Sequence, residues 1–146
     1  MLSSELESCL NQAFHQARRA HHEFLTVEHL LLAILDTPPV RGVLKGCGAD
    51  LDQLNADLRQ HVAANTLRWV PSPGEEHVVQ PQLDFQRVLQ RAVFHATTNG
   101  KNQVGVDNVM LAIFSEKQSH AVVLLKREGV TRSAVLNYVM SSKPPS

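Results

Sequence analysis

The sequence predicts an all-α fold, a pseudo-two-fold duplication of a four-helix unit with about eight helices, and three observations carry that reading. Sliding the chain along itself by 79 residues sets Leu10–Leu35 over Leu89–Phe114 without a gap, with seven of 26 positions identical. The identities include Ala13 with Ala92, Ala17 with Ala96, Leu32 with Leu111 and Ile34 with Ile113, all apolar, as expected when two copies keep one packing face. Within each copy the apolar residues recur with a helical period, and aromatic residues make up only 5% of the chain, which suits aliphatic helix packing better than a β-sandwich.

The first helix of each copy places Leu6, Leu10, Ala13, Phe14 and Ala17, or Phe85, Leu89, Ala92, Val93 and Ala96, on one buried stripe. Thr26 is an N-cap for the second helix, with Glu28 in the first turn where the helix dipole favours an acid. Leu30 to Leu35 is apolar nearly all round, so this helix runs through the centre of its unit and the aligned Leu32 and Leu111 should be equally buried. Pro38 and Pro39 open a short third helix that stops near Gly46 and Gly48, after which Asp50 caps a fourth through Leu51, Leu54, Leu58 and Val62. An insertion of two residues in the second copy then restores the match, setting Gly48 over Gly129, and Gly129 with Thr131 repeats the stop and the cap.

One domain over residues 1–146 is expected: repeat one at about 2–64, a linker at about 65–82, repeat two at about 83–142 and a flexible tail at 143–146. In the linker Pro71, Pro73, Gly74 and Pro81 oppose regular structure, and Glu75 and Glu76 keep it in solvent. Its Trp69, the single tryptophan, either covers exposed core where the copies meet or lies beside a binding groove.

Fourteen Lys and Arg against fourteen Asp and Glu leave no net charge, which argues against a nucleic-acid partner. Residues 1–64 carry about −3 and the remainder about +3. Cys9 and Cys47 form no C-x-x-C pair, so a disulfide framework is not signalled and a reducing, cytoplasmic setting is expected. Glu5 and Glu7 stand where a signal peptide needs basic residues, and the apolar runs are far short of a membrane span, so neither export nor a membrane partner is expected.

Catalytic patterns are missing from the sequence. The Gly42, Gly46 and Gly48 cluster is not followed by Lys-Ser or Lys-Thr, so it is no phosphate loop, and no G-x-S-x-G elbow occurs. His22-Glu23-Phe24-Leu25-Thr26 fails H-E-x-x-H at Thr26, and His29 stands seven residues from His22. The eight histidines therefore read as surface groups with capping or solvated roles, with no metal and no cofactor expected, although a histidine-based metalloenzyme stays a distant alternative.

Thr26-Val27-Glu28-His29-Leu30-Leu31-Leu32-Ala33 and Phe85-Gln86-Arg87-Val88-Leu89-Gln90-Arg91-Ala92-Val93-Phe94-His95 resemble the N-terminal domains of Clp ATPases, those of the ClpA type most. The resemblance implies a mobile domain at the entrance of a hexameric AAA+ unfoldase that works with the ClpP peptidase. Its ATPase modules, with their ATP and magnesium, would lie beyond Ser146. It also implies a ClpS-type adaptor that delivers N-degron substrates, and direct contact with unfolded polypeptide. The adaptor would meet the loop before the second helix and the start of the second copy, which here means Glu23, Glu28, Gln82 and Arg87. Comparing the copies sorts these residues: Glu28 aligns with Asp107 and has a structural reason, whereas Glu23 aligns with Asn102 and Arg87 with Ser8, so the shared fold does not demand their charges. A stand-alone helical interaction module would share every one of these features.

Overall fold

In the computed structural model, which describes residues 2–68, 70 and 78–141, the first copy runs α1 (Ser4–Arg19), β1 (Phe24–Leu25), α2 (Val27–Ile34), α3 (Pro38–Gly46) and α4 (Leu51–Asn65). The second runs β2 (Gln80–Pro81), α5 (Leu83–Thr98), α6 (Val106–Ile113), α7 (His120–Arg127) and α8 (Arg132–Ser141). The start signals are local side-chain chemistry. Asp50 Oδ1 accepts the Gln53 N–H at 3.1 Å, Thr131 Oγ1 accepts the Ala134 N–H at 3.2 Å, and Pro38 and Pro39 fill the first positions of α3, where no N–H is needed.

Gly48 and Gly129, at φ +77° and +79°, turn the chain out of α3 and α7, so that the Ala49 and Val130 N–H groups return to the Leu44 and Leu125 carbonyls at 3.0 and 2.9 Å. A Cβ on Gly129 would meet nothing within 4 Å, so Gly129→Ala isolates the cost of left-handed backbone. It should lower stability by about 1–2 kcal/mol in a denaturant melt, and an unchanged midpoint would show that the turn relaxes at no cost.

Two short parallel pairings accompany the helices of the expected all-α fold. Phe24 and Leu25 pair with Gln80 and Pro81, so part of the expected linker is ordered as β2. The Gln82 N–H donates to the Leu25 carbonyl at 2.9 Å, and 79 residues earlier the Ser3 N–H donates to the Val104 carbonyl at the same distance, beside a Leu2–Val104 bridge. Pairs this short leave no periodic signal in a sequence, and Pro81 can stand there because it sits at a sheet edge.

The central helices α2 and α6 pack on each other. Around them α2 touches α1, α4, α5 and α7, while α6 touches α3, α5 and α8. Leu30, Leu31, Ile34, Val109, Met110 and Ile113 are wholly buried at this centre. Gly42 and Gly46 form the bed for Tyr138 of α8, since a Cβ on Gly42 would come within 2.8 Å of the tyrosine oxygen. That contact explains two glycines of the cluster without any phosphate.

Three packing expectations need correction. Phe14 and Val93 are 37% and 44% exposed, and Cys9 and Val88 are buried in their place. The buried stripes step 6, 9, 13, 17 and 85, 88, 92, 96, and residues 14 and 93 lie one position past their edges, while Leu10 and Leu89 are half-buried flanks. Leu111 is buried but the aligned Leu32 is only half-buried, because it faces an open cleft. Trp69, Pro71, Pro73, Gly74, Glu75, Glu76 and the tail lie outside the described residues.

Candidate docking site

The loop from His21 to Thr26 enters α2 along a path set by the end of α1. His21 takes φ +57°, and the His21 and His22 N–H groups return to the Arg18 and Ala17 carbonyls at 3.1 and 2.9 Å. The second copy makes the same turn with Gly100 at φ +72°. Beyond it, the Glu23 N–H donates to the Leu67 carbonyl at 2.8 Å, and the Glu23 carbonyl accepts from the Gln80 N–H at 3.0 Å. The backbone of Glu23 is thus clamped from both sides while its carboxylate stays partly in solvent.

Gln82 closes β2 and is the N-cap of α5, but its side chain makes no capping hydrogen bond. At the equivalent position Ser3 does cap α1, accepting the Leu6 N–H at 3.1 Å. Next to Gln82, Leu83 is 71% exposed where the first copy carries Ser4. Sequence reasoning passed over Leu83, although the Leu-for-Ser difference between the copies was there to be read.

Glu28 and Arg87 line one shallow pocket of about 340 Å³, together with Asp84, Glu116 and Ser119. Arg87 donates through Nε and Nη2 to the two Glu116 carboxylate oxygens at 3.1 and 2.6 Å. That hydrogen bonding holds the Glu116 carboxyl below the usual carboxylate range and raises Arg87 further. Two of the five guanidinium N–H groups are used, so the fork is fixed in place with three donors left for a partner.

Glu28 is more embedded than its place in the first turn of α2 suggests. Its side chain is 12% exposed, with Oε1 3.3 Å from His61 Nε2 of α4 and Oε2 accepting from Ser119 Oγ at 3.3 Å. His61 stacks on His120 of α7 at 4.0 Å, and burial, then the neighbouring His61, lowers His120. Glu28 therefore ties α4 of one copy to the start of α7 in the other, and the helix dipole is only part of its role. Glu23 and Gln82 flank the β1–β2 pair outside this pocket.

The histidines of the loop correct a second expectation. His22 and His29 are each only 6% exposed, not surface groups, and His22 Nδ1 lies 2.9 Å from His29 Nε2. The Thr26 N–H donates to His29 Nδ1 at 3.1 Å, so that nitrogen holds its lone pair. The His29 proton is on Nε2 and donates to His22 Nδ1. Burial, reinforced by His22, pushes His29 down to about 4, while burial and the Arg68 charge lower His22. In the second copy Asn108 Oδ1 accepts the Gly105 N–H at 3.0 Å and does the capping without an imidazole. Among the described residues no three His, Cys, Asp or Glu side chains gather as a metal site requires, and no helix is long and apolar enough to cross a membrane.

Comparison with known proteins places this geometry in context. A family model for the Clp repeat (R) N-terminal domain matches residues 1–128. A ClpA homolog protein of Fuscovulum blasticum is 37% identical over 147 residues, covering 99% of this chain and 18% of that protein. The chain thus spans less than a fifth of that relative's length. Among solved structures, the Hsp104 N-terminal domain from Candida albicans matches with a TM-score of 0.80 at 16% identity, over 95% of this chain and 89% of that one. The N-domain of ClpV in complex with a VipB peptide matches with a TM-score of 0.72 at 23% identity, over 97% and 85%.

Proposed function

The chain belongs to the Clp repeat N-terminal domain family, and on that premise we propose that it is the adaptor- and substrate-docking domain of a cytoplasmic AAA+ unfoldase that feeds the ClpP peptidase. It takes a ClpS-type adaptor carrying N-degron substrates and performs no catalysis of its own. ATP and magnesium act in the parent hexamer, and neither nucleic acid nor membrane is a partner. The greater length of the ClpA-type relative supports a parent with further modules over a stand-alone interaction module. A peptide complex of a ClpV N-domain supports protein docking as a use of this fold.

The observation that carries the adaptor reading is the contrast between copies along one edge. Glu23, Gln82 and Arg87 present groups that the fold does not require, the first two on backbone held by β1–β2 and the third on a guanidinium fixed by Glu116. Gln82 is the clearest, because the Ser of the first copy would cap α5 better than Gln does. Glu23→Ala combined with Arg87→Ala should weaken a ClpS-type adaptor by about tenfold or more, measured by calorimetric titration. The melting temperature should move little, since Glu23 has no ion pair among the described residues and Arg87 is half exposed, so its pair with Glu116 is screened by solvent from the Arg87 side. Unchanged affinity in the folded double variant removes these residues from the interface. No binding by the parent domain removes the adaptor.

A further inference from the structure

A cleft of about 510 Å³ opens between α1, α2 and α4 of the first copy, using chemistry that adaptor docking leaves idle. Leu32 and Val62 supply apolar lining, and the buried His22–His29 pair is set beside them. Arg19, Arg59 and Arg68 stand in the lining as solvent-exposed side chains from three different segments. Among the described residues no carboxylate lines the cleft. Arg59 donates through Nε to a neutral partner, Asn55 Oδ1, at 2.6 Å, and none of the three arginines has an ion pair among the described residues.

Three guanidinium groups around one concavity, with no ion pair among the described residues, are unexpected in a chain with no net charge. The shared fold does not call for them. The second copy has Thr98 where the first has Arg19 and Lys101 where it has His22, with Lys101 tied to Asp107 at 2.9 Å. Asn108 replaces His29 and still caps its helix. At the Arg19, His22 and His29 places the second copy thus lacks the first copy's chemistry, so folding does not demand it there.

Guanidinium forks match oxyanions in charge and geometry, and forks from three segments suit the terminal oxygens of a phosphate better than the two oxygens of a carboxylate. The cleft is also several times larger than a phosphate group, and its volume falls in the range of small-molecule sites. We infer that it binds a small-molecule phosphomonoester, with the phosphate held by Arg19, Arg59 and Arg68 and the organic part over Leu32 and Val62.

Phenyl phosphate is a suitable probe, titrated near neutral pH at low salt while the ring C–H resonances of His22 and His29 are followed by NMR. Saturable shifts at both imidazoles are expected, with inorganic phosphate binding more weakly because it leaves the apolar lining uncovered. Arg59→Ala with Arg68→Ala should weaken phenyl phosphate by about tenfold or more and keep the melting temperature, since both side chains are exposed. Arg132→Ala, at the start of α8, should bind like the parent. Absence of saturation, or equal binding by the double variant, overturns the site. Tighter binding of a phosphotyrosine peptide than of phenyl phosphate overturns the small-molecule occupant in favour of a phosphorylated chain.

Discussion

Leu111→Ala should cost about 2–5 kcal/mol in a denaturant melt, and Leu32→Ala, at the matching position of the first copy, less than about 1.5 kcal/mol. Identical residues on equivalent helices would be expected to cost the same. The structure separates them because Leu111 is enclosed by protein, so its truncation leaves a cavity that neighbours fill only in part. Leu32 lines the cleft between α1, α2 and α4, and its truncation enlarges a space already open to water. Equal losses would mean that the cleft is closed in solution.

Acid should destabilise the domain well before its carboxylates titrate, and His29→Asn should remove much of that sensitivity. An imidazole in the unfolded chain takes up its proton near pH 6.5, whereas folded His29 resists until about 4 because it is buried and faces His22. Across that interval the unfolded state binds more protons, so stability present at neutral pH is lost as the pH falls. Single-site linkage puts the His29 share at about 2 kcal/mol by about pH 5 and about 3 kcal/mol by about pH 4. His22 and His120, lowered in the same sense, add to it, while Glu116 contributes only once the pH falls into the carboxylate range. Asparagine is the apt replacement because Asn108 already accepts the capping N–H at the equivalent place. Chemical melts across pH 7 to 5 read the slope directly. A flat parent profile, or an undiminished slope in the variant, would show that His29 is solvated in the folded domain.

What could be read from the sequence was whatever short-range chemistry decides. Thr26, Pro38, Asp50, Gly129 and Thr131 each act on groups within a few residues, so caps and breaks stood where spacing put them. Burial stripes were legible to within one residue, and the error at Phe14 and Val93 came from drawing each stripe one position too wide. At the candidate site, the comparison of copies singled out Glu23 and Arg87, and the resemblance added Gln82. Their neighbours were hidden because the contacts are distant in sequence: Arg87 to Glu116 spans 29 residues and Glu28 to Ser119 spans 91. The His22–His29 contact was missed for another reason. It depends on a left-handed turn at His21, a conformation that a histidine does not announce.

The two crossed pairings, Leu25 with Pro81 and Leu2 with Val104, have a consequence for ancestry and assembly. Each copy lends its leading residues to the other, and the hydrogen bonds from Ser3 to Val104 and from Gln82 to Leu25 are the same bond made twice in exchange. That is the geometry of an isologous dimer whose protomers trade their N-terminal arms, here joined into one chain. A single four-helix unit released from this context would retain both a donor arm and an empty acceptor edge, and the partner that satisfies both is another copy of itself.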